Sequence, residues 1–154
     1  MDHYTSQMLA TTHGIVFMLT KARNLVPADM DEAFKPLDIT SQQMGVMLWL
    51  NRGLGTTALD MSRHLGIDSG LMSRMLHKLE AKGLLRRTRR ITDRRVVDLT
   101  LTSKGKQVAA AIPDIALPVL NGRLQGFSDE EFKELLRLLG KFIDADVHHQ
   151  RSRP

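Results

Sequence analysis

The sequence predicts a mainly α-helical fold with one small β wing: a helix, a short turn, a second helix and a hairpin, framed by longer helices. Three observations predict it. Helix-starting residues recur at Thr40, Thr57, Asp68 and Ser128, with helix-stopping or turn glycines at Gly53, Gly66 and Gly83. The apolar period changes from that of a helix to that of a strand after Gly83. The positive charge is confined: Arg74 to Lys106 holds eleven basic and three acidic residues, +8, whereas the other 121 residues carry −3.

Taken in order, residues 5–25 read as an apolar, Met-rich helix, and Pro27 and Pro36 are expected to kink or end the segment after it. Thr40-Ser41-Gln42-Gln43 matches a capping box, a hydroxyl at the N-cap and a glutamine three residues on, so a helix runs from there to about Asn51. Gly53 and Gly55 make a turn. Thr57 opens a short helix, with Asp60 placed for the reciprocal cap, and Gly66 ends it. Asp68-Ser69 begins a helix that runs to Lys82 and stops at Gly83, where glycine supplies a left-handed residue. Residues 84–90 and 96–102 read as two strands joined by residues 91–95. Thr102 or Ser103 opens a long helix in which Pro113 and Pro118 predict a kink or break. Ser128-Asp129-Glu130-Glu131 is a second capping box, flanked by Phe127 and Phe132 at hydrophobic-staple positions. The last helix, 129 to about 147, carries a one-sided apolar stripe at 132, 135, 136, 139, 142 and 143.

Composition narrows the function. With 42% apolar residues, the chain can bury a core and is not disordered. No apolar run approaches a membrane span, and Met1-Asp2-His3-Tyr4 does not open a signal peptide, so a cytoplasmic protein is expected. The absence of cysteine excludes disulfides, thiolate zinc sites and cysteine redox sensing. No nucleophile, acid pair or phosphate-cradling loop suggests an enzyme, no cofactor is expected, and the adjacent His148-His149 make no metal site by themselves. The confined positive charge suits a polyanion, most commonly double-stranded DNA, the alternative being a merely solvated basic face.

The helix from Ser69 to Lys82 is the candidate reader. Met72, Met75, Leu76 and Leu79 make its buried face, while Ser69, Gly70, Ser73, Arg74, His77 and Lys78 fall on the other side. Small residues admit close backbone approach, and an arginine forks onto guanine O6 and N7. Leu71 at the edge suits thymine methyls. Arg74 in a surface ion pair and His77 simply solvated are the bland alternatives; His64 is expected in solvent or at its helix end. The hairpin adds Arg86, Arg87, Arg89, Arg90, Arg94 and Arg95, of which Arg86, Arg89, Arg94 and Arg95 are the candidate DNA contacts. Asp93 among them reads either as the group orienting a neighbouring arginine or as a turn former.

On these residues the sequence resembles the multiple-antibiotic-resistance regulator (MarR) family. The resemblance is carried by residues 37–43, by Leu59 to Gly66, by Ser69 to Arg74, by residues 79–87, and most strongly by Asp93-Arg94-Arg95 followed by Val97, Leu99, Leu101-Thr102 and Gly105. It implies a winged helix-turn-helix, a homodimer on a pseudopalindromic operator, and repression relieved by a small aromatic carboxylate or phenolic ligand. It also implies a winged lobe at 37–102, a helical dimerisation region at 1–36 and 103–148, and a flexible tail at 149–154. Asp93, Arg95 and Arg74 match the family's wing pair and recognition-helix arginine. Two departures stand out: the family's thiol-sensing branch needs a cysteine, and Pro113 and Pro118 interrupt a helix that is smoother in many relatives. His13 and Phe17, four apart on one helix face, with Met44, Met47 and Arg23, are the candidate ligand site, a ring packing on Phe17 and the methionines and a carboxylate meeting His13 or Arg23. A DNA-binding or architectural protein with no ligand is the alternative reading.

Overall fold

The capping residues act where the sequence places them. In the computed structural model, which describes residues 5–9, 14–93 and 95–144, Thr40 Oγ1 accepts the Gln43 amide while the Gln43 side chain accepts the Thr40 amide, and Ser128 and Glu131 repeat the arrangement. The elements are α1 (Ser6–Leu9), α2 (Ile15–Ala33), a 3-10 turn (Lys35–Leu37), α3 (Ser41–Asn51), α4 (Ala58–Leu65), α5 (Ser69–Ala81), β1 (Leu85–Arg89), β2 (Val97–Leu101), α6 (Ser103–Leu124) and α7 (Asp129–Ile143). The chain divides into a unit Met1–Val119 and a unit Leu120–Pro154. Among the described residues, no helix is long and apolar enough to cross a membrane.

The first unit holds a helix-turn-helix and its wing. Thr57 caps α4 through the Asp60 amide, and Gly66, at φ 63°, ends it. Asp68 caps α5 through the Leu71 amide. Gly83, at φ 69°, closes α5 with paired bonds, Leu84 N to Leu79 O at 2.9 Å and Gly83 N to Glu80 O at 2.9 Å. A left-handed residue here aims the chain directly into the hairpin. β1 and β2 pair antiparallel from Leu85 opposite Leu101 to Arg89 opposite Val97. Leu85, Leu99 and Leu101 point into a core shared with Met30, Phe34, Val46, Met47, Met61, Met72, Leu76 and Leu79.

Three expectations are corrected. The first long helix does not stop at Pro27 but runs to Ala33, where Met30 and Phe34 anchor its end in the core. It also begins later: residues 5–25 divide into α1 and the start of α2. Nor does α6 break at Pro113 or Pro118. Each proline removes one intrahelical bond, a cost of about 3 kcal/mol in a helix interior. Ala109, Ile112 and Ala116 are buried one turn apart on the opposite face, and that burial holds the helix together while both prolines face solvent.

The end of α5, the two strands and the start of α6 meet at one joint. Thr102 donates its amide to Leu84 O at 3.1 Å and its hydroxyl to Gly83 O at 2.6 Å. The same hydroxyl accepts the Gly105 amide at 3.0 Å, capping α6. Lys104 Nζ reaches Lys82 O at 3.0 Å. A Cβ on Gly105 would sit 1.9 Å from the Leu84 carbonyl oxygen, a backbone atom that cannot step aside. Helix propensity alone would make Gly105→Ala stabilising by about 1 kcal/mol; the collision predicts instead a loss of at least about 2 kcal/mol. Urea unfolding measures the sign, and a raised midpoint would contradict this account of the joint.

Candidate nucleic-acid interface

α5 presents two faces. Met72, Met75, Leu76 and Leu79 are buried, whereas Ser69, Gly70, Ser73, Arg74, His77 and Lys78 are all exposed. Leu71 is half-buried and packs against the core, so only its edge is open to a base. The Arg74 guanidinium lies back along the helix over Gly70: a Cβ there would be 3.5 Å from Arg74 Nη1 and 3.1 Å from Asp68 Oδ1. The bare glycine therefore leaves the N-terminal end of the helix open on its exposed side, with Arg74 beside it. Among the described residues Arg74 has no ion-pair partner. His64 is exposed, its Nδ1 2.9 Å from Asp60 O and its ring 4.9 Å from that of Trp49.

The wing arginines divide into two groups. Arg87 Nε is 2.9 Å from Glu80 Oε2, tying β1 to α5. Arg90 grips Asp98 with two bonds, Nη2 to Oδ1 at 2.7 Å and Nε to Oδ2 at 3.0 Å. Thr56 Oγ1 donates to the same Asp98 Oδ1 at 2.6 Å. The Arg90 and Thr56 hydrogen bonds hold the Asp98 carboxyl at about 2. A carboxyl depressed on folding stabilises above its unfolded value of about 4, so the contribution is complete at neutral pH and fades as pH falls toward 2. Arg86, Arg89 and Arg95 are exposed and have no ion-pair partner among the described residues. Arg94 lies outside the described residues.

Asp93 takes the turn-forming part of its expected pair of roles. Its Oδ1 accepts the backbone amide of Arg95 at 3.0 Å, and its carbonyl accepts the Val96 amide at 3.0 Å. Among the described residues the Asp93 carboxylate meets the tip's backbone and no guanidinium, whereas Asp98 grips Arg90. Sequence reasoning missed the Arg90–Asp98–Thr56 cluster and the bond from Lys82 Nζ to Asp38 Oδ1 at 3.0 Å. Opposite charges across a hairpin were the available signal for Arg90 and Asp98; nothing local announced Thr56 or Asp38.

Among the described residues, Phe17, Arg23, Met44 and Met47 line neither the cleft at α7 nor the one beside β2. Met47 is fully buried, because α3 turns Gln43, Val46 and Met47 together into the core; as a pocket wall it is withdrawn. Met44 is half-buried, Phe17 is 42% exposed and Arg23 is exposed. His13, like His148 and His149, lies outside the described residues. A cleft of about 270 Å³ beside Asn51, Thr56, Leu99 and Lys106 includes none of the five.

A helix with one buried and one free polar face, followed by a hairpin whose Arg86, Arg89 and Arg95 have no ion-pair partner among the described residues, defines a winged helix-turn-helix DNA-binding protein. The model of the MarR family matches residues 37–96. The HTH-type transcriptional regulator MgrA of Staphylococcus aureus is 30% identical over 115 residues, 75% of this chain and 77% of that one. Among solved structures, the transcriptional repressor CouR bound to a 23-mer DNA duplex is 26% identical, with a TM-score of 0.75 over 93% of this chain and 99% of that one. BpsR of Bordetella bronchiseptica, whose DNA binding is regulated by 6-hydroxynicotinic acid, shares the fold at 23% identity, with a TM-score of 0.79 over 94% of this chain and all of that one. The chain belongs to the MarR family and is a DNA-binding transcription regulator, not an enzyme.

The two halves of the interface predict different failures. Arg74→Ala should relax discrimination at one base pair, costing roughly 1–3 kcal/mol on the preferred site and little on random DNA. Arg95→Ala should weaken binding to all sequences and lower the log–log salt slope by about one. Titrations on selected and random duplexes at several salt concentrations separate them; equal losses on both duplexes for Arg74→Ala would reduce it to a phosphate contact.

Proposed function

We propose that this regulator is a homodimeric repressor of a pseudopalindromic operator and that a small aromatic carboxylate or phenolic ligand releases it. The observation that carries the reading is the free face of α5 from Ser69 to Lys78, beside Arg86, Arg89 and Arg95, which make no ion pair among the described residues. In this reading Ser69, Gly70, Ser73 and Arg74, with the edge of Leu71, meet base edges. His77, Lys78, Arg86, Arg89, Arg94 and Arg95 meet the backbone or the minor groove. Asp93 acts indirectly, by shaping the tip.

Dimerisation is supported by apolar surface that has no cover in either unit. α7 has no buried residue; Phe132, Leu136, Phe142 and Ile143 are 39–76% exposed. The start of α2 exposes Ile15, Val16, Phe17 and Met18. A second copy of the chain covers such stripes and supplies the two-fold axis that paired half-sites require. Residues 1–36 and 103–148 form the dimerisation region in this reading, and 37–102 the DNA-binding lobe.

The ligand reading rests on the same class of molecule that regulates BpsR, an aromatic acid. His13, Phe17, Arg23 and Met44 remain its proposed contacts. A ligand that binds better when the two lobes are misplaced shifts the dimer toward that state, and only such differential affinity releases DNA.

Sedimentation should show a dimer at micromolar concentration, and Phe132→Asp should shift it toward monomer and abolish specific binding. A stable monomer that still binds specifically would defeat the dimer. Titration of aromatic acids, including 6-hydroxynicotinic acid, against the protein–operator complex should release DNA, with a weaker response for Arg23→Ala. Release that is equal in wild type and variant would move the pocket elsewhere. No release by any acid would favour the ligand-independent or architectural reading.

A further inference from the structure

Of the six arginines in the hairpin, two are committed within the fold, Arg87 to Glu80 and Arg90 to Asp98. Arg90 stands where the hairpin leaves its ladder: Arg89 pairs with Val97, and Arg90 N donates to Val96 O at 2.9 Å before the chain turns into the tip. Its guanidinium is bound edge-on to both oxygens of Asp98, the strongest geometry for such a pair. Asp98 Oδ1 also accepts the Thr56 hydroxyl, from a residue 42 positions earlier in the loop that leads into α4. One residue further along β2, Leu99 N donates to Thr56 O at 2.8 Å. Side chain and backbone thus clip the hairpin to the helix-turn-helix at a single point.

We infer that Asp98 is a positioning residue for DNA binding: clamped between Arg90 and Thr56, it fixes the angle of the wing so that Arg86, Arg89 and Arg95 reach the DNA backbone while α5 lies in the major groove. The inference rests on the reading of α5 and the wing as the DNA-contacting face. A carboxylate inside a basic hairpin repels phosphate, so as a bare charge Asp98 weakens binding. The pair is also exposed, with side-chain exposures of 44% for Arg90 and 25% for Asp98, and pairs of that kind add little to folding stability. What this one supplies is orientation, at the joint between the wing and the element that carries the recognition helix.

Charge and orientation predict opposite signs for one substitution. Asp98→Asn removes a negative charge from a DNA-binding face, which by charge alone strengthens binding. As a broken latch it weakens binding instead, on the order of tenfold, and lowers the salt slope because wing phosphate contacts are lost. The full-length protein is tested on the duplex that wild type selects from a random pool, comparing Asp98→Asn, Arg90→Asp and the exchanged double variant Arg90→Asp/Asp98→Arg. The expected result is weaker binding and a shallower slope for both single variants, unchanged base preference at the positions read by α5, a melting temperature close to wild type, and partial recovery in the exchanged pair. Stronger binding by Asp98→Asn, or an unchanged slope, overturns the latch. So does an exchanged pair no better than Arg90→Asp alone, which would make Arg90 itself a phosphate ligand. If wild type selects no sequence from the pool, the DNA-reading face fails first, and the latch falls with it.

Discussion

The distance from Gly105 to the Leu84 carbonyl is the constraint on which the rest of the structure depends. There the end of the recognition helix, the first strand of the wing, the second strand and the start of α6 come together within a few hydrogen bonds of Thr102. No residue with a Cβ fits against that carbonyl without moving backbone. A wing attached any less closely would leave the hairpin free to swing about Gly83. The end of α5, the wing and the start of α6 are thereby tied together through backbone contacts.

Charge in the wing is allocated, not merely accumulated. Arg87 and Arg90 neutralise Glu80 and Asp98 and fasten the hairpin at two places, one to α5 and one to the loop before α4. Arg86, Arg89 and Arg95 make no ion pair among the described residues. Asp93 holds the tip through the Arg95 amide. A hairpin of five paired rungs is only marginally stable alone; tethering it with part of its own charge gives the remaining arginines a fixed location, which is what shape-dependent contact to a phosphate backbone needs.

The apolar surface follows the opposite logic. The winged lobe buries Met47, Met61, Met72, Leu76, Leu79, Leu84, Leu85, Leu99 and Leu101 in one core. α7 has the sidedness of a packed helix and no buried residue. An exposed stripe of this kind marks a surface for a partner, and in the proposed homodimer a second copy covers it.

Much of this was legible in the sequence because it is local. A capping box joins residues three apart, a glycine closes the helix that precedes it, and the two faces of α5 follow from 3.6 residues per turn; none needs knowledge of the rest of the chain. Hence Thr40, Thr57, Asp68, Gly83 and Ser128, the buried set of α5 and the existence of the wing were all readable from the chain alone. What only the tertiary structure decided depends on which distant segments meet. Pro27, Pro113 and Pro118 sit inside continuous helices because buried neighbours on the same helices outweigh a lost bond. Met47 is core and not pocket because of what α3 packs on. Arg90 is a fastener and Arg89 is free because register brings Asp98 and Thr56 to one and not to the other. The sequence by itself determined where the capped elements begin and that a basic hairpin follows a helix-turn-helix. The tertiary structure decided which of its charges remain available, because an ion pair forms by proximity in space, and proximity in space is set by packing.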